Sequence, residues 1–208
     1  MKKLFFIIIV ATVAFSCSKA PEQAATAEQQ PIDSAAIVLD AIAQRHSVRH
    51  FTTEAIPADT LELLARAGMA APTACNKQPW AIMAINDRIV LDTLYSAMQY
   101  SETMAKAPAA IVVCGDMSKA MTEIAREFWI QDCSAMTENI LVAIHALGLG
   151  AVWTGVHPIP ERLEAVRNTL NLPDNIIPLC VILVGHPEVG ADEVKDKWLP
   201  ENYHLNKW

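Results

Sequence analysis

Residues 176–184, IIPLCVILV, constrain the fold of this chain more than any other stretch. They are almost wholly apolar and rich in β-branched side chains, which is the pattern of a strand. Pro178 has no N–H to give to a neighbour, so the first part of this strand belongs at an edge or a bulge. Residues 109–114, AAIVVC, read as a second buried strand, and residues 80–86 (WAIMAIN) and 151–156 as two more. Helical spacing surrounds them. Asp33-Ser34 can cap a helix carrying Ile37, Val38, Ala41 and Ile42 and ending near Arg45-His46. A second helix follows Pro57, with Leu61, Leu64 and Ala65 on one face, and fades between Gly68 and Pro72. Helices are predicted over residues 89–104, over 118–147 with Gly148 as the stop, and over 160–170 with proline at the start. Helices first, then strands and helices mixed, indicate a layered α+β domain around a sheet of four or five strands. No G-x-G-x-x-G follows a first strand, so a Rossmann nucleotide site is not supported. The tail after Gly185 is polar but carries Trp198, Tyr203 and Trp208, and three aromatics there predict that it docks on something.

The N-terminus has a separate logic. Met1-Lys2-Lys3 is a short basic start, followed by thirteen nearly apolar residues, 4–16. As a helix these reach about 20 Å, short of a hydrocarbon core of roughly 30 Å, so they read as a signal segment and not a span. Ala14-Phe15-Ser16-Cys17 places small residues before a cysteine and resembles the lipobox of bacterial lipoproteins, with Phe15 a departure from the commonest pattern. The expected organisation is a signal peptide over 1–16, a tether over 17–32 beginning at lipidated Cys17, and a folded domain over 33–208. Residues 18–32 are rich in Ala, Gln, Glu and Pro and cannot bury enough to order themselves. The expected location is the bacterial cell envelope, on a membrane through the lipid anchor. Loss of Lys2 and Lys3 would take the net charge from −7 to −9, a poor field for nucleic acid. Cys75, Cys114, Cys133 and Cys180 show neither C-x-x-C spacing nor a histidine at a zinc-ligand interval, and no metal site is expected.

Against that acidic background, four segments carry chemistry. In residues 45–49, RHSVR, an extended backbone points positions 45, 47 and 49 to one side, two guanidiniums flanking a hydroxyl, suited to a phosphate and a polyol. Residues 72–80, PTACNKQPW, make a proline-bounded loop whose amides can meet the edge of a planar heterocycle. The glycines of 148–155, GLGAVWTG, allow a flat ligand close to the backbone. Lys195 and Lys197 in KDKW could reach one anion. Taken singly, each segment also has a plain structural reading as a solvated turn, a helix stop or a surface charge run.

In this order and at these intervals, the four segments resemble the nitroreductase family of flavoproteins over roughly residues 36–208, with the closing HLNKW at 204–208. Gln131-Asp132, Ala135 and Asn139 also fit the family's central helix. The resemblance implies an α+β fold with a mixed, largely antiparallel sheet wrapped by helices, and an intertwined homodimer with FMN at the interface. It implies Arg45, Ser47 and Arg49 on the phosphate, ribityl and pyrimidine side, with His46 in the same segment, and Lys195 and Lys197 closing on the phosphate. Pro72, Thr73, Ala74 and Asn76 would come from the partner subunit, with Gln78 assisting. Backbone groups of Trp153, Thr154 and Gly155 would face the flavin. Thr73-Ala74 stands where many relatives have two serines, so one hydroxyl is missing. The implied activity is ping-pong: NAD(P)H loads the flavin, and a nitroaromatic, quinone or similar acceptor unloads it. Export argues for two alternatives, an exported flavoprotein with another electron donor or a specialised reductive reaction, and a non-catalytic flavin-binding lipoprotein.

The lipobox reading makes a direct prediction. Cys17→Ala should abolish acyl labelling and move the protein out of the membrane fraction; unchanged labelling would show that Cys17 is not the acylated residue.

Overall fold

The computed structural model describes residues 33–190 and 192–208, so the expectations placed on residues 1–32, the signal peptide, Cys17 and the tether, lie outside the described residues. In chain order the described elements are α1 (Ser34–Gln44), α2 (Ala58–Met69), β1 (Trp80–Ile85), α3 (Arg88–Ala97), α4 (Glu102–Ala105), β2 (Ala109–Asp116), α5 (Phe128–Ala146), β3 (Gly150–Gly155), α6 (Pro160–Leu170) and β4 (Ile176–Gly185), with short 3-10 turns between some of them. The strands form one sheet in the order β1-β2-β4-β3, with every neighbouring pair antiparallel. No described helix is long and apolar enough to cross a membrane.

The continuous apolar runs are explained by burial on both faces. Ala109, Ile111 and Val113 of β2 and Cys180, Ile182 and Val184 of β4 pack with Leu61, Leu64, Met136, Ile140 and Ile144 of α2 and α5. Ala110, Val112 and Cys114, with Val181 and Leu183, pack on the other side with Leu91, Leu94, Tyr95 and Val166 of α3 and α6. A strand covered on one face would alternate; these two cannot, because both sets of side chains leave water. Cys114, Cys133 and Cys180 are buried free thiols, and burial pushes each thiol up.

Pro178 lies in an interior strand, so of the two sequence options the bulge holds. Val113 pairs with Cys180 but Cys114 pairs with Pro178, which leaves Leu179 as the extra residue. Its carbonyl accepts the N–H groups of Val156 (3.0 Å) and His157 (3.1 Å), so the bulge serves the exit from β3.

Two helices differ from expectation. The predicted helix over 89–104 is broken at 98–101. Gln99 is left-handed (φ 54°), Tyr100 donates its N–H to Tyr95 O (3.1 Å) and Gln99 donates to Ser96 O (3.1 Å). That is a Schellman stop, concealed in the sequence because glutamine and not glycine occupies the turning position. Ser101 then caps α4 through Met104 N–H. The predicted helix over 118–147 begins only at Phe128, after a 3-10 turn at Glu123–Glu127. Its missing first part is drawn elsewhere: Ser118 binds Asp116, Met117 N–H binds Asn175 O (2.8 Å), and Ile124 is 96% exposed, with no core face to hold a helix.

Asp116, at the end of β2, fastens this corner. Its Oδ1 accepts from Ser118 Oγ (2.6 Å), Ser118 N (3.1 Å) and Asn175 Nδ2 (2.9 Å), and its Oδ2 lies 3.1 Å from Lys119 Nζ. The Ser118 hydrogen bond leads in holding the carboxyl down to about 2, against the opposing effect of burial. A carboxyl depressed on folding stabilises above the unfolded value near 4 and loses that contribution as pH falls toward the folded value. Asp116→Asn should therefore lower stability at neutral pH by about 1–3 kcal/mol. The deficit should shrink below about pH 4, as urea titrations across that range would show.

Candidate functional site

The segment after α1 runs along the free edge of β3. Ser47 forms a parallel bridge with Ala151, and Val48 donates its N–H to Ala151 O at 2.8 Å. The chain then pairs with the segment after β4 through Phe51 and Pro187, Thr52 N–H on His186 O (2.9 Å) and Glu188 N–H on His50 O (3.0 Å). Val48 (4% exposed) and Phe51 (0%) are its anchors in the core. The approach is so close that a Cβ on Gly150 would lie 2.8 Å from Val48 Cβ. Gly148, left-handed at φ 72°, ends α5 just before it, so the first two glycines of the GLGAVWTG stretch serve a stop and a close approach.

With Val48 inside, strand alternation turns Ser47 and Arg49 away from the core. Arg45 reaches α5, where its Nε lies 3.0 Å from Glu138 Oε1; the pair is ionic but out of hydrogen-bond alignment, and Nε is buried without an aligned acceptor. His46 turns its Nδ1 to Gln44 O (3.0 Å) and its ring edge to His145. Asp192 folds back to accept Arg49 N–H (3.0 Å) and to meet His50 Nδ1 (3.3 Å). Burial works to raise the Asp192 carboxyl, but the Arg49 N–H and His50 hold it below its ordinary range. This contact ties the start of the KDKW tail to the RHSVR segment, and Lys195 and Lys197 follow it with exposed side chains.

Ala151 directs its carbonyl to the outer edge of β3, so by alternation Trp153 and Gly155 also direct their backbone groups outward. Gly155 O is taken by Arg162 Nη1 (2.8 Å), and a Cβ added at Gly155 would meet nothing within 4 Å. Trp153 is 36% exposed on the α5 side of the sheet. Thr154, on the opposite face, donates its hydroxyl proton to Val181 O at 2.7 Å. The structure therefore brings 45–49 and 153–155 to one edge.

The loop over 72–78 sits elsewhere. Cys75, Asn76 and Gln78 are all left-handed, at φ 49°, 51° and 49°. Such residues are strained unless the surroundings hold them. Here the N–H of Ala74 binds Asp132 Oδ1 of α5 (2.8 Å), and the N–H of Gln78 binds Thr73 Oγ1 (3.0 Å). Beside the loop lies a cavity of about 310 Å³, lined by Pro72, Thr73 and Ala74 with Phe128, Gln131 and Asp132 of α5. Asp132 is 5% exposed, and its Oδ2 has no hydrogen-bond partner. Among the described residues, no hydrogen bond or ion pair joins 72–78 to 45–49 within one chain.

Glu138, Asp192 and Arg162 are single charged residues with no motif around them, so no sequence signal marks them. Asp132 was visible only as part of the Gln131-Asp132 pair.

Residues 42–99 and 91–186 match the model of the nitroreductase family. The chain belongs to the nitroreductase family. A relative in Methanothermobacter thermautotrophicus, provisionally named an NADH dehydrogenase/NAD(P)H nitroreductase, is 37% identical over 82% of this chain and 87% of its own length. A protein of the same provisional name from Parabacteroides distasonis has a crystal structure with 40% identity and a TM-score of 0.75, covering 82% of this chain and 98% of that one. A provisionally named nitroreductase from Desulfovibrio desulfuricans, solved in complex with FMN, shares 30% identity at a TM-score of 0.68, over 82% of this chain and 97% of that one. The α+β fold and antiparallel sheet of this family member agree with the architecture expected from its sequence.

Proposed function

We propose that this protein is an FMN-dependent NAD(P)H oxidoreductase that works as a homodimer, with its flavin held along the outer edge of β3. The observation that carries the reading is that Ser47 and Val48 of the RHSVR segment seat on Ala151, at the outer edge of β3, the strand that continues through Trp153, Thr154 and Gly155. The donor set suits FMN. Arg45 meets Glu138 through Nε, a Cβ at Gly155 would meet nothing within 4 Å, and Trp153 and Gly155 turn backbone groups outward. A flavin supplies the redox chemistry, taking a hydride from a reduced nicotinamide and giving electrons to an acceptor such as a nitroaromatic or quinone.

The chain's own residues bind and orient. Arg45, Arg49, Lys195 and Lys197 oppose the phosphate charge within a protein of net charge −7. Glu138 draws on Arg45 through Nε, which leaves the two terminal guanidinium nitrogens for a phosphate. The Ser47 hydroxyl serves the polyol, with His46 beside it. The N–H groups of Trp153 and Gly155, flanking Thr154, face the ring. Pro72, Thr73, Ala74, Asn76 and Gln78 close the site from the second subunit, a role supported by their separation from 45–49 within one chain.

The dimer also accounts for uncovered apolar surface. No residue of α1 is buried, and Ile37, Val38, Leu39 and Ile42 are each more than half exposed (59%, 56%, 67% and 53%). In the tail, Trp198, Tyr203, Leu205 and Trp208 are 65%, 59%, 71% and 100% exposed, so the docking expected of these aromatics is not met within one chain. Apolar faces of this extent mark an interaction surface, and a second copy is the occupant that also completes the site. The signal-like N-terminus favours a second reading, in which a lipid-anchored form outside the cytoplasm uses the same site with a donor other than NAD(P)H.

Purified protein should show flavin absorbance, retained or restored by added FMN, and should turn over menadione with NADH or NADPH. Arg45→Ala and Lys197→Ala should each weaken FMN binding by roughly 10- to 150-fold, the worth of one charge-assisted contact. The loss should be smaller for riboflavin, which lacks the phosphate. Full FMN affinity in both variants would overturn the site assignment. Light scattering on protein lacking residues 1–17 should report a dimer; a monomer that retains FMN would overturn the shared site.

A further inference from the structure

The break after α3 delivers Tyr100 to the end of β3. Tyr100 Oη and Thr154 Oγ1 share a hydrogen bond of 2.5 Å, and its direction follows from the next link. Thr154 has one hydroxyl proton and gives it to Val181 O, a carbonyl that can only accept. Tyr100 must therefore be the donor, in a chain running Tyr100 O–H to Thr154 O–H to Val181 C=O. Burial pushes the Tyr100 hydroxyl up to about 12, so it keeps this proton at neutral pH. The Tyr95 ring, 5.6 Å away and edge-on, holds the Tyr100 ring in place.

The location makes this chain more than a core hydrogen bond. Beyond Ala151, no described strand pairs with the outer edge of β3. The end of an edge strand loosens unless something else secures it. Two side chains do so from opposite sides of the sequence, Tyr100 through Thr154 and Arg162 through Gly155 O. Their targets are Thr154, which lies between the two outward N–H groups assigned above to the flavin ring, and Gly155, which carries one of them.

We propose that Tyr100 is a positioning residue, whose hydroxyl, acting through Thr154, fixes the outward N–H groups of Trp153 and Gly155 against the flavin. This rests on the FMN reading of the site and adds a residue that touches neither flavin nor substrate. It explains why the helical run stops at Gln99: a helix continuing to residue 104 would carry Tyr100 away from Thr154.

Tyr100→Phe removes the donor and keeps the ring. In FMN-free protein, amide hydrogen exchange at Thr154 and Val156 should rise about two- to tenfold, the net worth of one hydrogen bond. FMN affinity should fall by a similar factor, with a shifted absorption band in the bound flavin. Thr154→Val should act alike, and the double variant should be no worse than Thr154→Val alone, because the two residues belong to one chain of bonds. Wild-type exchange in Tyr100→Phe, faster exchange with unchanged FMN affinity and spectrum, or additive losses in the double variant would each overturn the proposal. Absence of FMN binding by the wild type would overturn the proposed function instead, and the exchange measurement would still decide whether Tyr100 secures β3.

Discussion

The antiparallel pairing of β2 with β4, dry on both faces, is the constraint on which the rest of this molecule depends. Every residue of β2 is buried, as are the last eight of β4. Two layers of helices must cover such a pair, α2 and α5 on one side and α3 and α6 on the other. The side chains between these layers are mainly apolar. Chemistry is therefore displaced to the sheet's margin, where β3 leaves one edge for another segment to use.

That margin is built by small steric permissions and local charge. Gly150 lets Val48 approach, and Val48 in turn aligns Ser47 and Arg49 outward. Acids moderate the cations already present. Glu138 draws on Arg45, and Asp192 draws the tail toward Arg49 by accepting its backbone N–H, leaving the guanidinium for other use. The left-handed loop at 75–78 follows the same pattern, because a buried carboxylate on α5 holds it through Ala74. Glu138 and Asp132 act from the rigid helix α5, whereas Asp192 acts from the irregular tail itself.

Several elements were legible because their signals are local. The strand at 176–185 and the helix at 160–170 follow from unbroken apolar character and from proline at a helix start. The motif segments were legible as a family resemblance, since their joint order is more specific than any one of them. The break at 98–101 was not, because its stop uses glutamine in a left-handed turn and a tyrosine recruited by a threonine 54 residues away. The late start of α5 was hidden for a related reason: Ser118 and Met117 bind Asp116 and Asn175, and nothing in residues 118–127 reports those partners.

By itself the sequence determined the buried strands, most helix positions and the family, and it nominated the residues proposed above to hold a flavin phosphate. Backbone preference and hydrophobic period are properties of neighbours along the chain, and they survive in a linear reading. Only the tertiary structure decided that 45–49 lies on the edge of β3, that 72–78 lies apart from it, and that Tyr100 donates to Thr154. Those facts depend on which distant segments share space, and the enclosing core settles that through volume exclusion and hydrogen-bond satisfaction, which no local pattern encodes.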